Sequence, residues 1–195
     1  MGVITKLAEN PWTFHLLRKI PEFNYRQTKS RIGRRLNGRA PVVDIGCGTA
    51  EFCRMFEPRH YLGIDISPRY LQFARKRNPQ YSFILASGAD LCLPSNSFPQ
   101  ALINGVLHHL DERLALTFLH EAHRILKHRG VLLLIEDIEA ANSGSVSKLV
   151  HRLDMGAHIR EVEGYERLLA RLFHIEEFST YYSGTCHYGM WLLRK

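Results

Sequence analysis

Residues 42–50 read VVDIGCGTA. Three β-branched residues around one acid, followed by two glycines, describe a short buried strand that ends in a tight turn. Glycine at such a turn tolerates left-handed backbone angles and lets the chain approach a ligand closely. The stretch therefore raises two questions: which fold surrounds it, and which ligand the turn serves.

Working outward, strands and helices alternate. HYLGIDI at 60–66 reads as a second strand, after a short helix over 51–57 that Pro58 stops. SPRYLQFARKRN at 67–78 is a helix with Ser67 as N-cap and Pro68 in its first turn. YSFILAS at 81–87 and QALINGVL at 100–107 are further strands. A helix from Asp111 to His128 turns Leu114, Phe118, Ala122, Ile125 and Leu126 inward, and Gly130 stops it. GVLLLIED at 130–137 is the most apolar strand. Uniformly apolar strands that alternate with helices imply a parallel sheet covered on both faces. After Asp137 the rhythm breaks. Residues 145–173 read as one or two helices. IEEFSTYY and HYGMWLLRK then read as two strands joined by a connection too short for a parallel crossover, so this last pair is antiparallel. The expectation is one α/β domain over 1–195, a three-layer doubly wound sheet. It carries an N-terminal helical extension over 1–40 and a helical insertion over 138–174.

In an open α/β sheet, ligands bind outside the carboxyl ends of the strands. A dinucleotide turn follows G-x-G-x-x-G, but here Glu51 takes the third glycine position, and an acid there repels a pyrophosphate. The pattern G-x-x-x-x-G-K-[ST] is absent. A phosphate-free nucleoside fits better. Asp44 suits a cationic amino group, and Asp65, at the end of the second strand, can accept hydrogen bonds from both ribose hydroxyls.

VVDIGCGT (42–49), YLGIDIS (61–67), ADLCLPSNSF (89–98), INGVLHHL (103–110) and LHEAHRILKHRGVLLLIED (119–137) stand in the order found in one family. Over residues 40–137 the chain resembles the class I S-adenosylmethionine-dependent methyltransferases. The resemblance implies a seven-stranded, mostly parallel, Rossmann-like sheet whose last strand is antiparallel. It implies S-adenosylmethionine as cofactor and S-adenosylhomocysteine as product. It places Asp44, Gly46, Cys47, Gly48 and Thr49 around the methionine part. Asp65 would hold the ribose, Ile66 and the pair Ser87 and Gly88 the adenine, and Asn104 would lie near the sulfonium. Four positions depart from the family pattern. Ala50 stands for a third glycine, Ser87 for an acid or amide, Pro99 for an acid, and His128-Arg129-Gly130 for Pro-Gly-Gly. They keep open a member that binds the cofactor without catalysis.

Methyl transfer needs alignment and dryness more than acid–base help. If the acceptor arrives protonated, His108 or His109, after the fourth strand, is the candidate base. Substrate candidates are Glu136 at the end of the fifth strand (with Asp137 beside it), Trp12 and Tyr25 in the N-terminal region, and His151, Arg152, His158 and Arg160 in the insertion.

The net charge of +7 bears on partners. Residues 25–39 hold Arg26, Lys29, Arg31, Arg34, Arg35 and Arg39 without an acid. This run is a solvated basic face or an attraction to an anionic substrate, a membrane surface or RNA. It has one aromatic, Tyr25, so it lacks the interleaved rings of a single-strand platform. No strand end reads like the N/D-P-P-Y motif for exocyclic amines. The favoured acceptor is a small molecule methylated on oxygen, with a nucleic acid as the alternative. No apolar run spans a bilayer and no secretion signal opens the chain, so a cytoplasmic protein with reduced Cys47, Cys53, Cys92 and Cys186 is expected. No cysteine spacing suggests a metal.

Overall fold

The computed structural model describes residues 25–138, 158–183 and 186–195. Seven strands form one sheet in the order β3-β2-β1-β4-β5-β7-β6. They are β1 (Val42–Ile45), β2 (Tyr61–Asp65), β3 (Ser82–Leu85), β4 (Phe98–Asn104), β5 (Leu126–Asp137), β6 (His174–Ser183) and β7 (Cys186–Arg194). The α-helices among these residues are α1 (Arg26–Arg35), α2 (Pro68–Arg77), α3 (Glu112–Ile125) and α4 (Val162–Leu169). β1 to β5 pair in parallel, and β7 runs antiparallel to both β5 and β6.

The last strand is not at the rim. β7 inserts between β5 and β6, and β6 forms the edge. Composition explains the order. β7 buries Met190, Trp191 and Leu193, whereas β6 carries the exposed acids Glu176 and Glu177, which suit an edge.

Side chains of alternating parity build two apolar layers. Val43, Ile45, Ile103, Leu132 and Leu134 meet Ala115, Phe118, Leu119, Ala122 and Ile125 of α3. On the other face, Val42, Leu102, Leu133 and Ile135 meet Ile32 of α1 and Leu71 and Ala74 of α2. The helix caps follow the sequence: Ser67 Oγ accepts from Tyr70 N–H, and the Asp111 carboxylate accepts from Leu114 N–H.

Three details differ from the sequence reading. Leu114 lies on the outer face of α3 and is exposed. The helix stops at Ile125, before Gly130, because the chain enters β5 at Leu126. The register then skips from Phe98↔Leu126 to Gln100↔Val131, leaving Lys127, His128 and Arg129 exposed in a bulge, with Arg129 at φ 60°. Residues 51–57 form no α-helix. They make a single 3-10 turn, Cys53–Met55. α1 docks against this segment: the Tyr25 ring packs edge-on to Phe52 at 5.6 Å, and Lys29 pairs with Glu51 at 2.5 Å. α1 also reaches the far end of the sheet, where Thr28 Oγ1 and Tyr181 OH share a hydrogen bond of 3.0 Å.

Candidate functional site

The strand-end turn after β1 is held by one carbonyl. Gly46 and Cys47 both donate their N–H to Ile64 O, at 2.8 and 2.9 Å. The two glycines do different work. Gly46 has φ 79°, and a Cβ there would lie 2.5 Å from a methyl of Val106, so only glycine lets the turns after β1 and β4 pass. Gly48 has φ 53°, and a Cβ there would meet nothing within 4 Å. Gly48 borders open space.

Asp65, at the end of β2, is bonded to this glycine. Its carboxylate accepts from Gly48 N–H and from Ser67 N–H, each at 2.8 Å. Burial pushes its carboxyl above the usual range, and the N–H groups of Ser67, Gly48 and Ile66 pull it back. With about four acceptor sites, the carboxylate keeps capacity for a further donor. The next residue, Ile66, is 72 % exposed, a large apolar side chain on the surface beside Asp65.

The rest of the turn faces inward. Thr49 and Ala50 are buried, and Ala50 N–H closes a turn onto Cys47 O at 2.8 Å. Ala50 has φ 58°, the left-handed region that glycine prefers. Asp44 is 2 % exposed and accepts a 2.7 Å hydrogen bond from Tyr61 OH. Burial pushes its carboxyl up to about 7. Asp44 therefore lies beneath the turn against a phenol, where the sequence reading set it toward a cationic amino group. Burial and the neighbouring Asp44 also raise the Cys47 thiol, so it is a poor nucleophile. Tyr61 as the partner of Asp44 was not foreseen. Strand parity carried the signal, because Asp44 shares its face with Val42.

At the end of β3, Ser87 Oγ accepts from Ala89 N–H, and Gly88 lies under Phe118, whose ring would be 2.0 Å from a Cβ. Asn104, half-buried, ends β4 and precedes Gly105 at φ 67°.

The turn after β4 is gripped from two sides. The Glu136 carboxylate accepts from the N–H groups of Val106, Leu107 and His108, at 2.9, 2.7 and 3.3 Å, and pairs with His108 Nδ1 at 2.8 Å. The Arg160 guanidinium donates to the carbonyls of Leu107 and Leu110, at 2.8 and 2.7 Å. His158 N–H donates to His108 O. His108 and Glu136 are wholly buried. Both therefore lie inside the turn they organise, where the sequence reading set them facing a substrate, and Arg160 is engaged on backbone carbonyls. His109 is exposed, its ring centroid 4.0 Å from that of His108, and His158 is exposed beside the same turn. Tyr25 is buried against Phe52 rather than open to a ligand. Trp12, His151 and Arg152 lie outside the described residues.

These surroundings fit an adenosyl cofactor. A space that a Cβ at Gly48 would enter, a carboxylate with spare lone pairs and an exposed isoleucine lie together at the carboxyl ends of β1 and β2.

Residues 43–134 match the sequence model of a family described as methyltransferase domain. The chain is 30% identical over 71 residues to a tRNA (carboxymethyluridine(34)-5-O)-methyltransferase of Saccharomyces cerevisiae, covering 36% of this chain and 25% of that one. It is 31% identical over 98 residues to a fatty-acid O-methyltransferase of Mycolicibacterium smegmatis, covering 47% and 35%. The chain thus spans about a third or less of these relatives' lengths. Its fold is similar to that of the cyclase SpnF, with a TM-score of 0.70 at 18% identity, covering 87% of this chain and 80% of that one. That likeness concerns the fold alone. Residues 43–134 thus resemble the methyltransferase domain family, and the sheet has the Rossmann-like fold of solved methyltransferase structures.

Proposed function

We propose that this chain transfers a methyl group from S-adenosylmethionine to a small-molecule acceptor, with oxygen as the acceptor atom. The observation that carries the reading is the open space over Gly48, with Asp65 bonded to that glycine and Ile66 exposed beside Asp65. The cofactor supplies an already activated methyl group, so the chain's task is alignment and exclusion of water. Asp65 accepts from the ribose hydroxyls, Ile66 covers one face of the adenine, and the segment at Ser87 and Gly88 borders its edge. Gly46, Cys47, Gly48 and Thr49 shape the turn around the methionine part, and Asn104 borders the sulfonium. Asp44 supports the turn from below.

Among the described residues, His109 is the exposed histidine on the clamped turn and takes the part of proton acceptor for a hydroxyl. Glu136, His108 and Arg160 are positioning residues that fix the turn carrying it. Similarity to a fatty-acid O-methyltransferase supports oxygen as the acceptor atom. Similarity to a tRNA methyltransferase favours a second reading, methyl transfer to tRNA.

The test is formation of S-adenosylhomocysteine from S-adenosylmethionine with a panel of fatty acids and phenols, and separately with bulk tRNA. Turnover with the panel that falls about 100-fold or more in His109→Ala supports the first reading. Turnover with tRNA alone supports the second. A chain that binds no S-adenosylhomocysteine at millimolar concentration by calorimetry sinks both.

A further inference from the structure

The proposed methyl-donor site occupies the carboxyl ends of the strands, and the opposite end of the sheet has a different character. Four parallel strands are entered there by short segments: 33–41 before β1, 54–60 before β2, 75–81 before β3 and 127–130 inside the entry to β5. Because β7 is antiparallel, its last residues, Arg194 and Lys195, reach the same end. These stretches carry Arg34, Arg35, Arg39, Arg54, Arg59, Arg75, Lys76, Arg77, Lys127, Arg129, Arg194 and Lys195. Glu57 is the one acid among them, and β6, which starts at the same end beside Arg194, adds Glu176 and Glu177.

The hydrogen bonds leave this charge largely uncompensated. Glu57 alone faces Arg39, Arg59 and His60, at 3.7, 2.9 and 3.6 Å, and the side chains of Arg39 and Arg59 are 86% and 77% exposed. Arg54 donates to the neutral Asn78 side chain and to the Arg77 carbonyl. Lys195 donates to Asn96 and to the Leu126 carbonyl. Arg35 and Arg194 do have carboxylate partners, Glu177 and Glu176. Lys76, Lys127, His128 and Arg129 are exposed. Arg39 and Arg54 line one open hollow with Asn37, Gly38, Met55, Phe56 and the acid Glu57.

The spread and the chemistry point to the class of partner. From β3 to β7 the sheet is five strand spacings wide, about 24 Å. An array of guanidinium and ammonium groups that long matches a run of phosphates rather than one small anion. None of the large apolar side chains exposed among the described residues (Ile66, Ile84, Leu85, Leu114, Phe178 and Tyr182) belongs to these segments, so there is nothing to insert into a bilayer or seed a protein interface. Among the described residues, Phe56 and Tyr61 are buried, and half-buried Tyr81 is held edge-on to Tyr61 with its hydroxyl on the Phe56 carbonyl, so these segments present no row of open rings for unpaired bases.

We propose that this end of the sheet docks the phosphodiester backbone of a double-stranded nucleic acid, without base specificity. The docking face is separate from the donor site and stands whether or not the proposed small-molecule activity does.

The test is fluorescence anisotropy of the whole chain with a 24-base-pair RNA duplex, and with a DNA duplex of the same sequence, at 50 and 200 mM NaCl. Both duplexes are expected to bind at the lower salt and to weaken steeply at the higher. The triple variant Arg39→Glu, Arg59→Glu, Arg129→Glu is expected to bind at least 10-fold more weakly and to lower the salt slope by about 3. Arg167→Glu with Arg171→Glu, at the other end, is expected to leave duplex binding unchanged. Circular dichroism and S-adenosylhomocysteine affinity establish that the variants are folded. Binding of one duplex but not the other keeps the face and names its ligand. No binding of either duplex at 50 mM NaCl overturns the proposal. So does undiminished binding by the folded triple variant, or tighter binding to phosphatidylserine vesicles than to either duplex.

Discussion

The carboxylate of Asp65 and the backbone N–H of Gly48 are joined by a 2.8 Å hydrogen bond across the turns that end β2 and β1. The carboxylate builds the turn and keeps capacity for a further donor, so the acid has both a structural and a ligand-binding part. Asp65→Ala removes both, and S-adenosylhomocysteine affinity by calorimetry is expected to fall at least tenfold. Asp65→Asn keeps the shape but offers one acceptor where the carboxylate offers two, and is expected to lose less. Unchanged affinity in both variants contradicts the ribose assignment.

Ala50 is strained and packed at once, with φ 58° and 3% exposure. Left-handed geometry costs an alanine about 1 kcal/mol relative to glycine, and burying its methyl returns about 0.8 kcal/mol. Ala50→Gly is therefore expected to shift unfolding stability by less than about 1 kcal/mol. Ala50→Val, β-branched in the same backbone state, is expected to lose about 2 kcal/mol or more. Urea denaturation of the two variants checks the contrast, which vanishes if the turn can relax.

Asp44 makes stability depend on pH. Its carboxyl titrates near 3.8 in the unfolded chain and near 7 in the folded one, so between those values the folded chain holds a proton that the unfolded chain has released. Its contribution to stability is thus full below about 3.8 and declines as pH rises towards 7, by up to roughly 1.4 kcal/mol per unit. Asp44→Asn cannot titrate, so its stability relative to the native chain is expected to improve by about 2 kcal/mol between pH 5 and 7. A pH-independent difference between the two chains, followed by chemical denaturation, goes against this account.

Glu136 holds three N–H groups and an imidazole in a fully buried turn. Glu136→Ala leaves those donors unsatisfied and is expected to cost about 3 kcal/mol of stability by denaturant titration. In a chain that stays folded, any acceptor turnover is expected to fall through kcat more than through KM, because the loss is one of position. A fall confined to KM points instead to direct contact between Glu136 and the acceptor.

The sheet was legible because each strand declared itself by β-branched or apolar runs between glycine and proline stops. The antiparallel pair followed from a connection too short to cross over. What the periodicity could not show was insertion of β7 inside β6, since a hairpin leaves open which of its strands joins the sheet. The missing helix at 51–57 was obscured for another reason. EFCRMFE has helix-forming residues, but the left-handed Ala50 before it, Pro58 after it and the docking of α1 leave room for one 3-10 turn. At the site, the strand ends that carry Gly48 and Asp65 could be read from the sequence, since each follows an apolar run. The strand-end position of Glu136 suggests a substrate-facing acid, whereas its parity with Leu132 and Leu134 sends it to the α3 face of the sheet. Arg160 gave no local signal at all, since its partners are carbonyls some fifty residues away.

The placement of β7 has a consequence for how the chain comes to be assembled. β5, with Leu132, Leu133, Leu134 and Ile135 in succession, has its second neighbour made only after β6, about fifty residues later. As the chain emerges from synthesis, five parallel strands can pair while this apolar edge stays open. α1 cannot complete its hydrogen bond to Tyr181 until β6 exists. An open edge with so apolar a centre recruits foreign strands, so the interval before β7 slots in is when this protein is most exposed to aggregation and to chaperones.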